Sequence, residues 1–233
     1  MTVATWFGQI ARNSRAVEPL SDSVKPRLRG WIHSAVTPLV LLAALVLVAL
    51  SPARAAAWST GIFGLSAVLL FGTSAIYHRG RWSPRVRGVL RRLDHTNIFL
   101  VIAGTYTPLA VLLLPERSAR SLLIAVWSGA LFGLLCRIFW LGAPRWIYVP
   151  AYLSLGWVAV WFFPAFYRGG GALIATLIAA GGLAYTLGAL IYGFKRPNPC
   201  PRWFGFHELF HALTVVAFTC HYIAVSLAAY RAV

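Results

Sequence analysis

Two histidines four residues apart enclose the sequence His207-Glu208-Leu209-Phe210-His211, at the mouth of a long apolar stretch. On a helix, positions i and i+4 share a face about one turn apart, so both imidazoles can reach one metal ion. The same letters fit H-E-x-x-H, in which the glutamate serves as the base of a zinc protease. Letters alone leave two alternatives open: a metal-binding pair, or two polar histidines where a helix meets the membrane interface. The other residues with chemical potential are His78, with Ser74 four residues before it, and Asp94. Three histidines are the donor set of a catalytic zinc site, with a fourth position left for water. Asp94 could accept a hydrogen bond from that water, orient it, or act as its general base. Ser74 could hydrogen-bond the same water or a substrate carbonyl.

Something must bring these distant residues together. The chain of 233 residues is 59% hydrophobic and 11% charged, a composition that places it among polytopic membrane proteins. Seven apolar segments are expected, at 31–51, 57–77, 94–114, 120–141, 146–166, 171–193 and 208–229. Each is close to the ~20 residues a helix needs to cross a bilayer. The fold class is therefore all-α, with a basic tail over 1–29 and a seven-helix membrane domain over 30–230. The tail has room for a short interfacial helix around residues 6–10.

The net charge of +16 does not point to nucleic acid, because the basic residues lie in short runs between apolar segments. They read as topology signals and as contacts for anionic lipid headgroups. With the N-terminus in the cytoplasm, 16 of the 21 Lys and Arg residues fall on the cytoplasmic side. The expected orientation is N-terminus inside, C-terminus outside, in a cell membrane. Cys136, Cys200 and Cys220 show no paired spacing and form no disulfide framework.

That orientation produces a convergence. His78 ends segment 2, Asp94 opens segment 3, and His207 and His211 open segment 7, all at the cytoplasmic end. Ionisable groups at membrane depth are costly and are functional candidates by default. Each also has a plainer role. Ser74 can bond its own helix backbone, and Asp94 can cap a helix or neutralise Arg91 or Arg92. His95, next to Asp94, turns about 100° away and reads as interfacial. His33 reads as an interface residue. His221, ten residues past His211, reads as a cavity residue too far along the helix to join the metal. Glu208 reads as a cap or a partner for the basic loops, behind Asp94 as a base.

Ser74-Ala75-Ile76-Tyr77-His78, Asp94-His95 leading to Gly104-Thr105-Tyr106-Thr107-Pro108, and His207-Glu208-Leu209-Phe210-His211 with His221 together resemble bacterial hemolysin III proteins. That group is similar to the adiponectin and progestin receptors (the PAQR family) and, more distantly, to alkaline ceramidases. The resemblance covers about residues 25–230. It implies seven transmembrane helices with a cytoplasmic N-terminus and a zinc ion held by His78, His207 and His211. It also places Ser74 and Asp94 near the water on that zinc. Eukaryotic members are linked to ceramide hydrolysis; bacterial members carry a cytolysin name and a connection to membrane lipid homeostasis. The short tail gives a hormone-receptor role little support.

Three functions are expected, in descending order. The first is a zinc-dependent hydrolase cleaving an amide or ester in a membrane lipid. The second is a non-catalytic sensor of membrane state, with zinc clamping segments 2 and 7. The third is a cytolysin, which is physically awkward for a chain with seven strongly apolar segments and no soluble phase.

Overall fold

The computed structural model describes residues 26–140 and 142–231. The interfacial helix expected around residues 6–10 and most of the basic tail lie outside the described residues. What is described is all-helical: α1 (Trp31–Ala49), α2 (Arg54–Arg79), α3 (Pro84–Leu113), α4 (Glu116–Phe139), α5 (Arg145–Trp157), α6 (Ala159–Phe194) and α7 (Phe206–Arg231). Long runs of Leu, Ala, Val and Phe favour this, because in lipid every backbone polar group must be satisfied within the segment. Thr105 and Thr107 satisfy their buried hydroxyls by donating to the carbonyls of Val101 and Ala103, one turn back.

α3 departs from the expected segment. It starts at Pro84, ten residues before Asp94, so Asp94 lies inside a helix rather than opening one. Ser83 caps it, accepting from the Val86 N–H at 3.5 Å, and a proline follows in the first turn. The arginine-rich stretch after Pro84 is therefore helix, not loop.

α5 and α6 form one apolar stretch of 50 residues, Arg145–Phe194. A continuous helix of that length would separate Arg145 from Tyr192 by about 70 Å. Instead Arg145 Nη1 donates to the Tyr192 carbonyl at 3.3 Å, and Trp157 Nε1 donates to Thr186 Oγ1 at 3.1 Å. The chain doubles back on itself. The break is Gly171, at φ 75° and ψ 179°, a backbone region open in practice only to glycine. With Arg145–Phe194 counted as one, six stretches among the described residues are long and apolar enough to cross a membrane, against the seven expected from sequence.

α3 is the central element and packs against α2, α4, α5, α6 and α7. Phe63, Phe71, Phe99, Phe166 and Phe218 fill the space around it. The outer surface is as apolar as the core: Phe132 is 71% exposed and Trp161 86%. Exposure on that scale suits lipid rather than water.

Candidate metal centre

α7 presents a stripe of polar residues at spacings of four, three and seven: His207, His211, Thr214 and His221. These are helical repeats of one face. Its first turn is tied down on both sides. Glu208 Oε2 accepts the Gly205 N–H at 2.9 Å, the return half of a capping box. Asn198 Oδ1 accepts the Phe206 N–H at 3.1 Å. Glu208 Oε1 forms an ion pair with Arg29 in the segment before α1. That segment is also held by the Arg27 and Leu28 N–H groups, which donate to the carbonyls of Arg202 and Trp203 at 3.0 and 3.2 Å. Glu208 is thus engaged as a cap and a clamp.

His78 in the last turn of α2 meets His207 and His211. One ring nitrogen from each lies within 4.8 Å of the other two. His78 and His211 are buried and His207 is half-buried. His78 Nε2 stands 3.3 Å from His207 Nε2. Two nitrogens bound at about 2.0–2.1 Å to one tetrahedral ion stand about 3.3 Å apart. The donor set and this spacing fit a metal ion, and the cluster can hold one.

Asp94 Oδ2 lies 3.8 Å from His78 Nε2 and 3.7 Å from His95 Nδ1. Ser74 is buried beside the Asp94 carboxyl, and both line the same cavity. Among the described residues no arginine forms an ion pair with Asp94. Asp94 is thus neither a helix cap nor the ion-pair partner of an arginine among the described residues.

Two expectations are corrected. His33 is not at an interface: it is 2% exposed, stacks on His211 with centroids 3.9 Å apart and planes 7° apart, and meets the edge of Phe71. Its place near the start of α1, opposite the metal cluster, comes from the clamp between Arg29 and Glu208. His95 does not face the interface either. Its Nδ1 lies 2.8 Å from the Arg91 carbonyl oxygen, and its ring lines a cavity beside Asp94. Its position beside Asp94 in sequence is the signal for this, since a 100° step between neighbours still leaves both residues lining one wide cavity.

The cavity, about 360 Å³, runs from His207 and Asp94 along α7 to His221. Its walls come mainly from α3, α5 and α6 and are nearly all apolar. Its metal end also carries Tyr148 and Tyr192, whose hydroxyls are 3.5 Å apart. The buried guanidinium of Arg137 lies over the Tyr148 ring, 4.4 Å from its centroid. Trp157, Val160 and Leu183 line the cavity and are at least half exposed on the outer surface, so the cavity reaches the lipid side between α5 and α6.

The haemolysin-III related family profile matches residues 22–222, which span the helices, the histidine cluster and the cavity. The chain belongs to the haemolysin-III related family. This family is part of the PAQR superfamily. One relative is the "Hemolysin-3 homolog" of Bacillus subtilis (strain 168), 29% identical over 178 residues, covering 75% of this chain and 83% of the relative. Another is "Hemolysin-3" of Bacillus cereus, 25% identical over 181 residues, covering 76% of this chain and 82% of the relative. With six apolar stretches among its described residues, this haemolysin-III related chain is a multi-pass membrane protein.

Proposed function

We propose that the chain is a zinc-dependent hydrolase that cleaves an amide or ester bond in a membrane lipid. The observation that carries this reading is the 3.3 Å approach of His78 and His207 with Asp94 beside them, at the polar end of an apolar cavity. Zinc suits a three-imidazole donor set, and bound there it supplies Lewis acidity toward a carbonyl oxygen and toward water. Asp94 is the carboxylate nearest the cluster and is assigned the proton, taken and returned at Oδ2. Ser74 holds that carboxyl in place. The apolar walls receive the lipid chain, which enters from the bilayer between α5 and α6. The partners on this reading are membrane lipids.

The Arg145–Phe194 stretch is read as two crossings that reverse at Gly171, which makes seven in all. The charge distribution supports a cytoplasmic N-terminus and an outside C-terminus, so the metal centre faces the cytoplasmic leaflet. The relatives' name speaks of haemolysis. Six apolar stretches leave no form of this chain suited to diffuse through water and insert later, which weighs against that activity here.

The test is Asp94→Asn, assayed on fluorogenic acyl-amide and acyl-ester lipids alongside metal content. Turnover should fall by about 10²–10⁴-fold with zinc retained. Unchanged turnover removes Asp94 from the chemistry. A zinc-loaded wild type that cleaves neither bond, with a cellular phenotype that survives Asp94→Asn, favours the sensor reading.

A further inference from the structure

The histidines of the cluster come from α2 and α7, yet residues 29–33, which lead into α1 and form its first turn, touch each of them or its neighbour. Arg29 pairs with Glu208, next to His207 in sequence. Gly30 lies against His78: a Cβ at position 30 would stand 2.7 Å from the His78 Cβ, too close for two carbons. Its φ of 82° is a second demand for glycine. The guanidinium of Arg79, next to His78, lies over the Trp31 ring, 3.8 Å from its centroid. His33 covers one face of His211. His33 stands outside the set of nitrogens that could share one ion. Both of its own nitrogens are sealed and make no hydrogen bond among the described residues. What it offers His211 is therefore a flat face. The rings of His78, His207 and Phe210 meet His211 at 61°, 60° and 57°, whereas His33 lies parallel to it within 7°.

We propose that the opening turn of α1 is the template of the metal centre, with His33 the positioning residue for His211. The proposal rests on the reading that His78, His207 and His211 hold zinc. The last torsion of a histidine side chain is broad and roughly two-fold, and a parallel ring in contact narrows it. The stack also has an electronic consequence. An imidazole that gives its lone pair to a metal ion gains partial positive charge, and an aromatic face stabilises that charge. The contact is thus worth more to the metal-bound ring than to the free one. His33 raises metal affinity without being a ligand. Gly30 serves the opposite side of the cluster, because only a position without a side chain lets the backbone back His78 so closely.

The experiment is zinc affinity of the detergent-purified full chain, by competition with a chromophoric chelator, for wild type, His33→Phe, His33→Leu and Gly30→Ala. The visible spectrum of the cobalt(II)-loaded form and the Tm of the metal-free form are recorded on each. His33→Leu removes the aromatic face and should weaken zinc by about three- to ten-fold, the value of one aromatic pair. Its cobalt band should shift, because His211 is no longer held in one plane. His33→Phe restores the face and should stay within about two-fold of wild type. The Tm of the metal-free form separates loss of the stack from loss of the fold. His33→Met serves as the non-aromatic variant if His33→Leu does not fold. Gly30→Ala should also weaken zinc, from the His78 side. Wild-type affinity in His33→Leu, or a loss in His33→Phe as large as in His33→Leu, overturns the role of His33 and leaves the zinc reading standing. Unchanged affinity in Gly30→Ala overturns the template on its His78 side. Wild-type protein that takes up neither zinc nor cobalt overturns the metal reading and the template with it.

Discussion

Replacing Glu208 tests whether the metal centre depends on a clamp outside it. Glu208 is 1% exposed and pairs with Arg29, whose side chain is 19% exposed. Removing one partner of a buried pair costs about 3–5 kcal/mol, because the other charge is left uncompensated. Arg29 retains some access to solvent, which places this case near 3 kcal/mol. Glu208→Ala also strips the acceptor from the Gly205 N–H, about 1 kcal/mol more. For a chain of 150–250 residues, each kcal/mol moves Tm by about 2–4 °C, so Glu208→Ala should lower Tm by about 8–16 °C. Glu208→Gln keeps an acceptor for Gly205 and loses the charge, and should fall between Glu208→Ala and wild type. The assay is thermal unfolding in detergent for Glu208→Gln, Arg29→Met and the double variant, with zinc affinity measured on each. Coupling of about 2 kcal/mol or more between the two positions is expected. Zinc affinity should fall by about ten-fold in each single variant, because the clamp orients the turn that carries His207. Additive effects on Tm with unchanged zinc affinity would refute the clamp and with it this account of how α7 is aimed.

Two further outcomes follow from the hairpin and the charge distribution. Gly171→Ala forces a side chain into a region that only glycine adopts freely, and should cost about 1–3 kcal/mol, read as a lower Tm with no change in zinc content; an unchanged Tm would mean the reversal does not need that conformation. A C-terminal reporter that fluoresces only in the cytoplasm should stay dark on the full chain and light up when α7 is deleted; fluorescence on the full chain would contradict seven crossings with the N-terminus inside.

The chemistry of the site was more legible in the sequence than its surroundings. His207 and His211 announce themselves by spacing alone, since one helical turn puts them on one face. His78 and Asp94 could be joined to them because charge asymmetry between loops fixes which segment ends share a membrane side. The start of α3 carried its signal in Ser83-Pro84, but the arginines that follow looked like loop. Polarity near a segment end is usually interfacial, which sets the expectation for His33, and the 100° step from Asp94 sets the same expectation for His95. Only the packing of α1 on α2 and α7, through the clamp between Arg29 and Glu208, turns His33 in against His211. The reversal was legible as the gap between the segments at 146–166 and 171–193, where Arg168 and three glycines interrupt the apolar run; that Gly171 takes the conformation reserved for glycine is what the structure adds.

The hydrolase reading stands on zinc held by His78, His207 and His211. The most direct measurement is metal content by plasma mass spectrometry on detergent-purified protein, beside the variant His78→Ala/His207→Ala/His211→Ala. About one zinc per chain is expected in wild type and none in the variant. Wild-type protein that stays free of metal after zinc is resupplied, or a variant that keeps its zinc, would contradict it.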